Sequence, residues 1–445
     1  MEDKTKAVIR ELDDGLVMRS STTGDADRLA EFNGRIHGED PFDTRGVEVW
    51  TRDLLLKEHP TFRKGDFIII EKAATGEIVS ATNLISQTWM YEGIPFRVGR
   101  PELVGTLPEY RNRGLIRALF EEVHRMSEQR GELVQAITGI EYFYRQFGYE
   151  MTVDLGGGRS GLPGALPKLE EGQQEPFVIR AAGDADIPFL LRMMERENRR
   201  WMLTCRRDAA DLRHEMLEKS RENINRIELH IIETPQGEAV GYLGHPWFVW
   251  WGDKTGLTLT RYELDEGRSF LDVTPTVLRY LWSKGQEYAA AQSRTADVVN
   301  VSLGCGHPIY KAAGEKLSIE RKPYAYYMRV ADLPAFLRLI GPALEKRLQA
   351  SDFAGHSGAL NLSFYRGGVR MVLEQGRLAA FENWKPEDKD VSAAFPGLTF
   401  LHMLFGHRTV DEIRNIYIDC WVKDEARALL EVLFPKKCSS VWALS

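Results

Sequence analysis

Apolar residues recur along this chain with two periods, and the switches between them mark out its elements. In LIRALFEEVHRM, Leu115, Leu119, Val123 and Met126 fall on one face of a 3.6-residue helix, with Ile116 and Phe120 beside them. Runs such as FIII and IVSATNLI have the length of strands, and none approaches the ~18 apolar residues of a membrane span. The first segment reads as a strand at 16–19, then a helix capped near Thr23 or Asp25. Strands follow at DFIIIEKA and EIVSATNLISQTWMYEG, joined by a turn at 75–76. The helix from about 114 is stopped by Gly131. A strand at 132–140, a short helix EYFYRQFG and a last strand YEMTVDL complete a mixed α/β unit.

The pattern then starts again. VMRSSTTGDADRLAEF near the N-terminus and VIRAAGDADIPFLLRM from 178 are alike, which predicts an internal repeat at domain scale. Between the copies, GGGRSGLPGALPKLEEGQQEP (156–176) reads as a linker. The second copy continues with the hairpin RIELHIIE–TPQGE–AVGYLGHPWFVWW, a strand LTLTRYELDEG, a helix TPTVLRYLWSKGQEYAAA and a strand near ADVVNVSLG. Near 329–344 Asp332 caps a new helix with Pro334 in its first turn. Beyond it, ALNLSFYRGGVRMVLEQGRLAAFEN reads as a three-strand meander. VSAAFPGLTFLHMLFGH, TVDEIRNIY and DEARALLEVLFPK read as helices, a small α+β unit.

At 445 residues the chain exceeds one ordinary core, so two or three domains are expected. A net charge of -7 and a pI near 5.9 disfavour nucleic acid and favour cationic partners. The charged N-terminus has no apolar signal core, and a cytoplasmic location is expected. Cys205, Cys305, Cys420 and Cys438 form no CxxC pair and are expected as reduced thiols, with no metal.

Chemistry concentrates at VGTLPEYRNRGLIRAL (104–119), where a strand passes into a helix through Arg111, Asn112, Arg113 and Gly114. The helix start offers unpaired N–H groups and the positive end of a dipole, and Gly114 has no Cβ. With Arg111, Arg113 and Arg117 nearby, the pattern suits a phosphate or pyrophosphate, or is a plain helix start with solvated arginines. It is neither a nucleoside-triphosphate loop nor a dinucleotide fingerprint, since G-x-x-x-x-G-K-[ST] and G-x-G-x-x-G are missing.

This stretch resembles the acetyl-CoA-binding motif of the GCN5-related N-acetyltransferases, Arg/Gln-x-x-Gly-x-Gly/Ala after a strand. Arg111 and Gly114 match, and Ile116 stands where the family has Gly or Ala. FYRQFGYE (143–150) resembles the family's second motif, in order and spacing. The whole layout is similar to the Eis (enhanced intracellular survival) family. That resemblance implies an acetyltransferase domain at 1–158, a degenerate copy at 176–330 lacking the Arg-x-x-Gly loop, and a sterol-carrier-protein-like domain at 331–445. It further implies a homo-hexamer and transfer from acetyl-CoA to an aminoglycoside, polyamine or lysine amine. Val104 and Thr106 would hold the thioester carbonyl, and the main chain from Arg111 through Asn112, Arg113, Gly114 and Leu115 to Ile116 the pyrophosphate. Tyr144 would be the general acid, or else a core aromatic. The C-terminal carboxylate of Ser445 would be the base, although SSVWALS lacks the family's aromatic ending. Glu31, His37, Glu39 and Asp40 are candidates for the acceptor cleft, or a solvated acidic loop.

Other features have local readings. WFVWW (247–251) is expected at an interdomain contact or a partner surface. Cys305 and His307, two apart in GCGHPIY, are not expected to form a nucleophile pair. The competing function is a catalytically weak acyl-CoA-binding or scaffold protein that retains the fold.

Overall fold

The computed structural model describes residues 8–250, 254–386, 390–443 and 445. In chain order the first unit contains β1 (Val8–Leu12), β2 (Leu16–Ser20), α1 (Ala26–His37), α2 (Pro41–Leu56), β3 (Phe67–Lys72), β4 (Ile78–Tyr91), β5 (Ile94–Thr106), α3 (Leu115–Gln129), β6 (Val134–Ile137), β7 (Glu150–Leu155) and β8 (Gly158–Gly161). Local chemistry sets these bounds. Thr22 and Asp25 form a capping box ahead of α1. Asp40 accepts from the N–H groups of Phe42 and Asp43, with Pro41 at the first position of α2. β4 and β5 form one long hairpin, turned at Glu92 and Gly93, both with positive φ. The α3 stripe predicted from its period is buried at Leu115, Leu119 and Val123 against Leu84, Ile85 and Leu103.

The second unit contains β9 (Val178–Ala181), α4 (Ile187–Asn198), β10 (Leu203–Cys205), α5 (Ala209–Arg213), β11 (Ile227–Glu233), β12 (Ala239–Pro246), β13 (Gly256–Leu259), β14 (Arg261–Leu264), α6 (Phe270–Ala291), β15 (Val298–Val301), β16 (Ile319–Arg321) and β17 (Tyr324–Val330). The repeat is explicit in its ion pairs. Arg19 on β2 forks onto Asp25, at the entry to α1, and Glu71 on β3, at 2.7–2.8 Å. Arg180 on β9 forks in the same way onto Asp186 and Glu233. The first set is buried, the second more exposed.

The two units exchange strands. The first sheet runs β1-β2-β3-β4-β5-β6-β17-β7, so the last strand of the second unit lies inside the sheet of the first. β8 lies between β15 and β16 in a sheet of the second unit. The 156–176 stretch, expected as a linker, therefore opens with a buried strand. Its glycines answer close approach: a Cβ on Gly158 would collide with the Val301 carbonyl. β10 also pairs with the end of β4.

Other expectations change in detail. LTLTRYELDEG is not one strand; Thr260 separates β13 and β14, which lie in different sheets. EYFYRQFG forms only a 3-10 turn at Phe143–Phe147, because Tyr142 and Gly148 on either side are left-handed. In VSAAFPGLTFLHMLFGH only Phe400–Leu404 is helical, after a short strand Ala393–Ala394. Pro396 and Gly397 keep the segment from continuing as one helix.

The last unit has the predicted meander, Gly358–Ser363, Gly368–Glu374 and Arg377–Trp384, under the helix Leu333–Gln349. Its core is continuous with the far end of the first sheet, where Trp89, Tyr91 and Phe96 meet Phe336 and Phe405. From Cys438 the chain returns along β10, exchanging main-chain bonds with Met202 and Leu203. This return brings Cys438 to Cys305, and the two form a disulfide. The expectation of four reduced thiols is thus corrected: a separation of 133 residues hid a spatial pair. Cys205 and Cys420 are buried thiols outside the disulfide. His307 uses Nε2 on the Tyr262 carbonyl and Nδ1 on the Ile309 N–H, a structural role. Trp247 and Phe248 stack on Phe42, an interdomain contact; Trp251 lies outside the described residues. No helix among the described residues is long and apolar enough to cross a membrane.

Candidate active site

Two strands that begin side by side create the site. β5 and β6 are parallel neighbours at Val98–Val134 and Gly99–Gln135 only. β5 then follows β4 to Thr106, while β6 follows β17. The β4–β5 register slips from Asn83–Glu102 to Ala81–Gly105, so Leu103 and Val104 together oppose Thr82. Leu103 takes a positive φ of 51°. A bulge of this kind leaves one residue outside the ladder and re-aims its main chain. Here that falls at Val104, at the mouth of the opening.

The anion loop stands next to it. Asn112 (φ 63°) and Gly114 (φ 75°) are both left-handed, and the intervening turns gather successive N–H groups at the start of α3. A Cβ on Gly114 would meet nothing within 4 Å, so the space before that backbone is open. These residues line a cleft of about 750 Å³ together with Val104, Thr106 and Tyr144. Arg111, Leu115 and Ile116 also line it. Arg113 does not: its guanidinium stacks on Tyr110 at 4.9 Å and meets Asp14 at 3.4 Å. Arg117, over the Phe147 ring, supplies a further positive charge to the wall.

Tyr144 is 3% exposed and packs among Phe120, Phe143 and Tyr327. Its hydroxyl lies beside Gly139. Burial, and then the Glu102 carboxylate, push this phenol well above its usual range, so it holds its proton at neutral pH. Glu102, on β5 next to the bulge, was not singled out from the sequence, though an acid in VGRPELVGT is a visible anomaly. It lines the cleft and pairs with Arg100. Burial raises its carboxyl, with Arg100 opposing. Tyr324 and Tyr327 were also missed, because they arrive on the exchanged strand β17. Tyr324 donates to the Gly139 carbonyl at 2.8 Å, and Tyr327 accepts from the Tyr142 N–H.

The expected acceptor residues separate. His37 lines the cleft, and its buried Nε2 has no hydrogen-bond partner. Burial takes its imidazole down to about 4, so it is neutral. Glu31 and Glu39 are exposed and do not line the cleft. Asp40 is occupied as the cap of α2 and in a 3.1 Å pair with Arg294 of the second unit. Ser445 is not among the cleft residues; its main chain lies close to His59. A second cavity, about 850 Å³ between α3 and the last unit, holds none of the expected site residues.

A parallel strand pair that splays, a bulge at the opening and a left-handed loop before the next helix thus share one cleft. Residues 25–152 match the family described as an acetyltransferase (GNAT) domain, and that segment is a GNAT acetyltransferase domain. Domains of this family take acetyl-CoA as donor, which fits the open loop at Gly114. Among solved structures, a GCN5-related N-acetyltransferase from Kribbella flavida is similar at 16% identity with a TM-score of 0.61, covering 96% of this chain and 97% of that one. Another, from Anabaena variabilis, gives 12% identity and a TM-score of 0.63 over 96% and 98% of the two chains. Eis1 from Mycobacterium abscessus gives 12% identity and a TM-score of 0.58 over 97% and 99%. The chain thus has the multi-domain fold of Eis-type GNAT proteins from end to end. Compared by sequence with curated proteins, it has no significant match.

Proposed function

We propose that the protein is an acetyl-CoA-dependent N-acetyltransferase acting on a primary amine of a cationic acceptor, of the aminoglycoside, polyamine or lysine class. One observation carries this: the bulge at Val104, the left-handed loop Asn112–Gly114 and the Tyr144 phenol line a single cleft. In the reaction the neutral amine attacks the thioester carbonyl, whose developing oxyanion meets the main-chain N–H at Val104. As the C–N bond forms, the amine proton passes to Glu102. As the C–S bond breaks, the thiolate takes the Tyr144 proton. Glu102 is given the base role because it shares the cleft with Tyr144. The Ser445 carboxylate is the alternative base by resemblance, and its neighbour His59 does not line the cleft. The Eis-like layout supports a hexamer, which light scattering tests.

The test is free-thiol release from acetyl-CoA with a panel of aminoglycosides, polyamines and lysine peptides. Tyr144→Phe is expected to lower kcat by about ten-fold or more with acetyl-CoA binding retained. Binding without turnover for any amine would favour the scaffold reading instead.

A further inference from the structure

The second unit lacks the Arg-x-x-Gly loop, yet its sheet carries a largely buried polar cluster that does not line the cleft. Glu228 on β11 is directly opposite His245 on β12. His230, two residues along β11, shares their face of the sheet. The two imidazoles stack at 4.8 Å between ring centres. We propose that Glu228, His230 and His245 bind a divalent transition-metal ion of the zinc class, supported from outside by the hydroxyl of Tyr288 on α6, with the Tyr280 hydroxyl giving up the His245 lone pair to the ion.

Three observations converge on it. One ligand atom from each residue lies within 4.8 Å of the others. Ligands of a tetrahedral zinc site with bonds of ~2.0–2.1 Å stand roughly 3.3 Å apart. Side-chain rotations on adjacent strands close that gap without shifting the sheet.

The tautomer of His245 is set. Its Nδ1 lies 2.8 Å from the Pro246 carbonyl, which only accepts, so Nδ1 carries the hydrogen. That leaves Nε2 as a lone pair facing the Tyr280 hydroxyl at 3.1 Å. An imidazole oriented by a main-chain carbonyl is the arrangement metal-bound histidines use.

His230 is 7% exposed, and its Nδ1 is buried with no hydrogen-bond partner. A buried ring nitrogen left unpaired is unfavourable unless something else fills its lone pair. Glu228 supplies the negative charge, its carboxylate oriented by the Tyr288 hydroxyl at 2.6 Å. The nearest cation, Lys284, is tied to both oxygens of Glu287 at 2.8 Å. Two imidazole nitrogens and one carboxylate favour zinc, cobalt, nickel or copper over magnesium or calcium.

The test uses the full chain, stripped with a chelator and titrated with Zn²⁺ by calorimetry and with Co²⁺ by visible absorption. One equivalent per chain is expected, with a rise in Tm and Co²⁺ ligand-field bands. His230→Gln or His245→Gln should abolish that equivalent. Tyr288→Phe, which leaves the ligands in place, should weaken it 10- to 100-fold. The proposal is overturned if the wild type binds no equivalent, or if the bound equivalent is unchanged in these variants. Should the histidine variants fail to fold, the wild-type Co²⁺ spectrum and Tyr288→Phe decide the matter. A spectrum without nitrogen-ligand bands, or an unchanged affinity in Tyr288→Phe, would overturn it.

Discussion

Gly114→Ala separates the cost of a left-handed backbone from the loss of a ligand site, provided a matched control is made. Gly114 has φ of 75° and Gly131, at the other end of α3, has φ of 66°. A Cβ at either position would meet nothing within 4 Å. Each alanine therefore costs the same backbone penalty, about 1–2 kcal/mol, with no steric addition. Their surroundings differ. Gly114 lies on the cleft with Asn112 and Val104, whereas Gly131 borders the other cavity. A Cβ at 114 occupies the space through which a pyrophosphate approaches the first N–H groups of α3. Losing one charge-assisted hydrogen bond there costs about 1.5–3 kcal/mol. At 1.4 kcal/mol per factor of ten, the Kd for CoA should rise roughly 10- to 100-fold. Calorimetry with CoA and urea unfolding on both variants make the comparison. Equal stability losses with an affinity loss only in Gly114→Ala are expected. Unchanged CoA affinity in Gly114→Ala, or the same loss in Gly131→Ala, would refute the placement of the pyrophosphate.

Three further outcomes follow from the same geometry. Tyr327→Phe removes the acceptor for the Tyr142 N–H and a 3.4 Å contact to the Ile140 carbonyl. It should lower kcat by loosening the turn that holds Tyr144, while leaving the KM for acetyl-CoA within about two-fold. Burial lowers His307 to about 3, below its unfolded value of ~6.5. The unfolded chain then takes the proton first, so this contribution is full above pH 6.5 and falls as pH drops toward 3. By pH 5 about 2 kcal/mol of it is lost, and His307→Asn should reduce the loss in urea stability between pH 8 and 5 by that amount. An unchanged pH slope would show that His307 is protonated in the folded protein. Cys438→Ser opens a loop closed across 133 residues, for which chain entropy gives a loss of roughly 5 kcal/mol at most. Denaturant unfolding of this variant should match that of the reduced wild type, and a difference would point to strain introduced by the serine.

How much the sequence reveals depends on whether a feature is local. The α3 stripe, the bare Gly114 at its start, the cap at Asp332 and the repeat at Arg19 and Arg180 are written within about ten residues each, and all are visible in the chain. The loop before α3 is local too, which is why five of its six expected residues, Arg113 excepted, line one cleft. Arg113 turned out otherwise because Tyr110 and Asp14 lie closer to it than the cleft does. The non-local features were illegible. Neither the pairing of Cys305 with Cys438 nor that of Asp40 with Arg294 has any signature in spacing. Gly158 and its neighbours have the composition of a linker. The same small residues are also what a strand squeezed against the Val301 carbonyl requires, and composition does not distinguish the two.

The strand exchange gives the second copy a physical role despite its missing glycine loop. Without β17, β6 would have β5 for only two residue pairs and nothing on its other side, since β7 pairs with β17 and not with β6. The turn bearing Tyr144 follows directly from β6 and is held by Tyr324 and Tyr327 on β17. β17 also continues almost directly into the helix Leu333–Gln349, whose Phe336 packs on Phe96 at the end of β5. Thus β6 and the turn bearing Tyr144 are braced by the second unit, and the β4–β5 hairpin by the last unit. A second unit without the Arg-x-x-Gly loop thus still supplies one central strand of the sheet it completes.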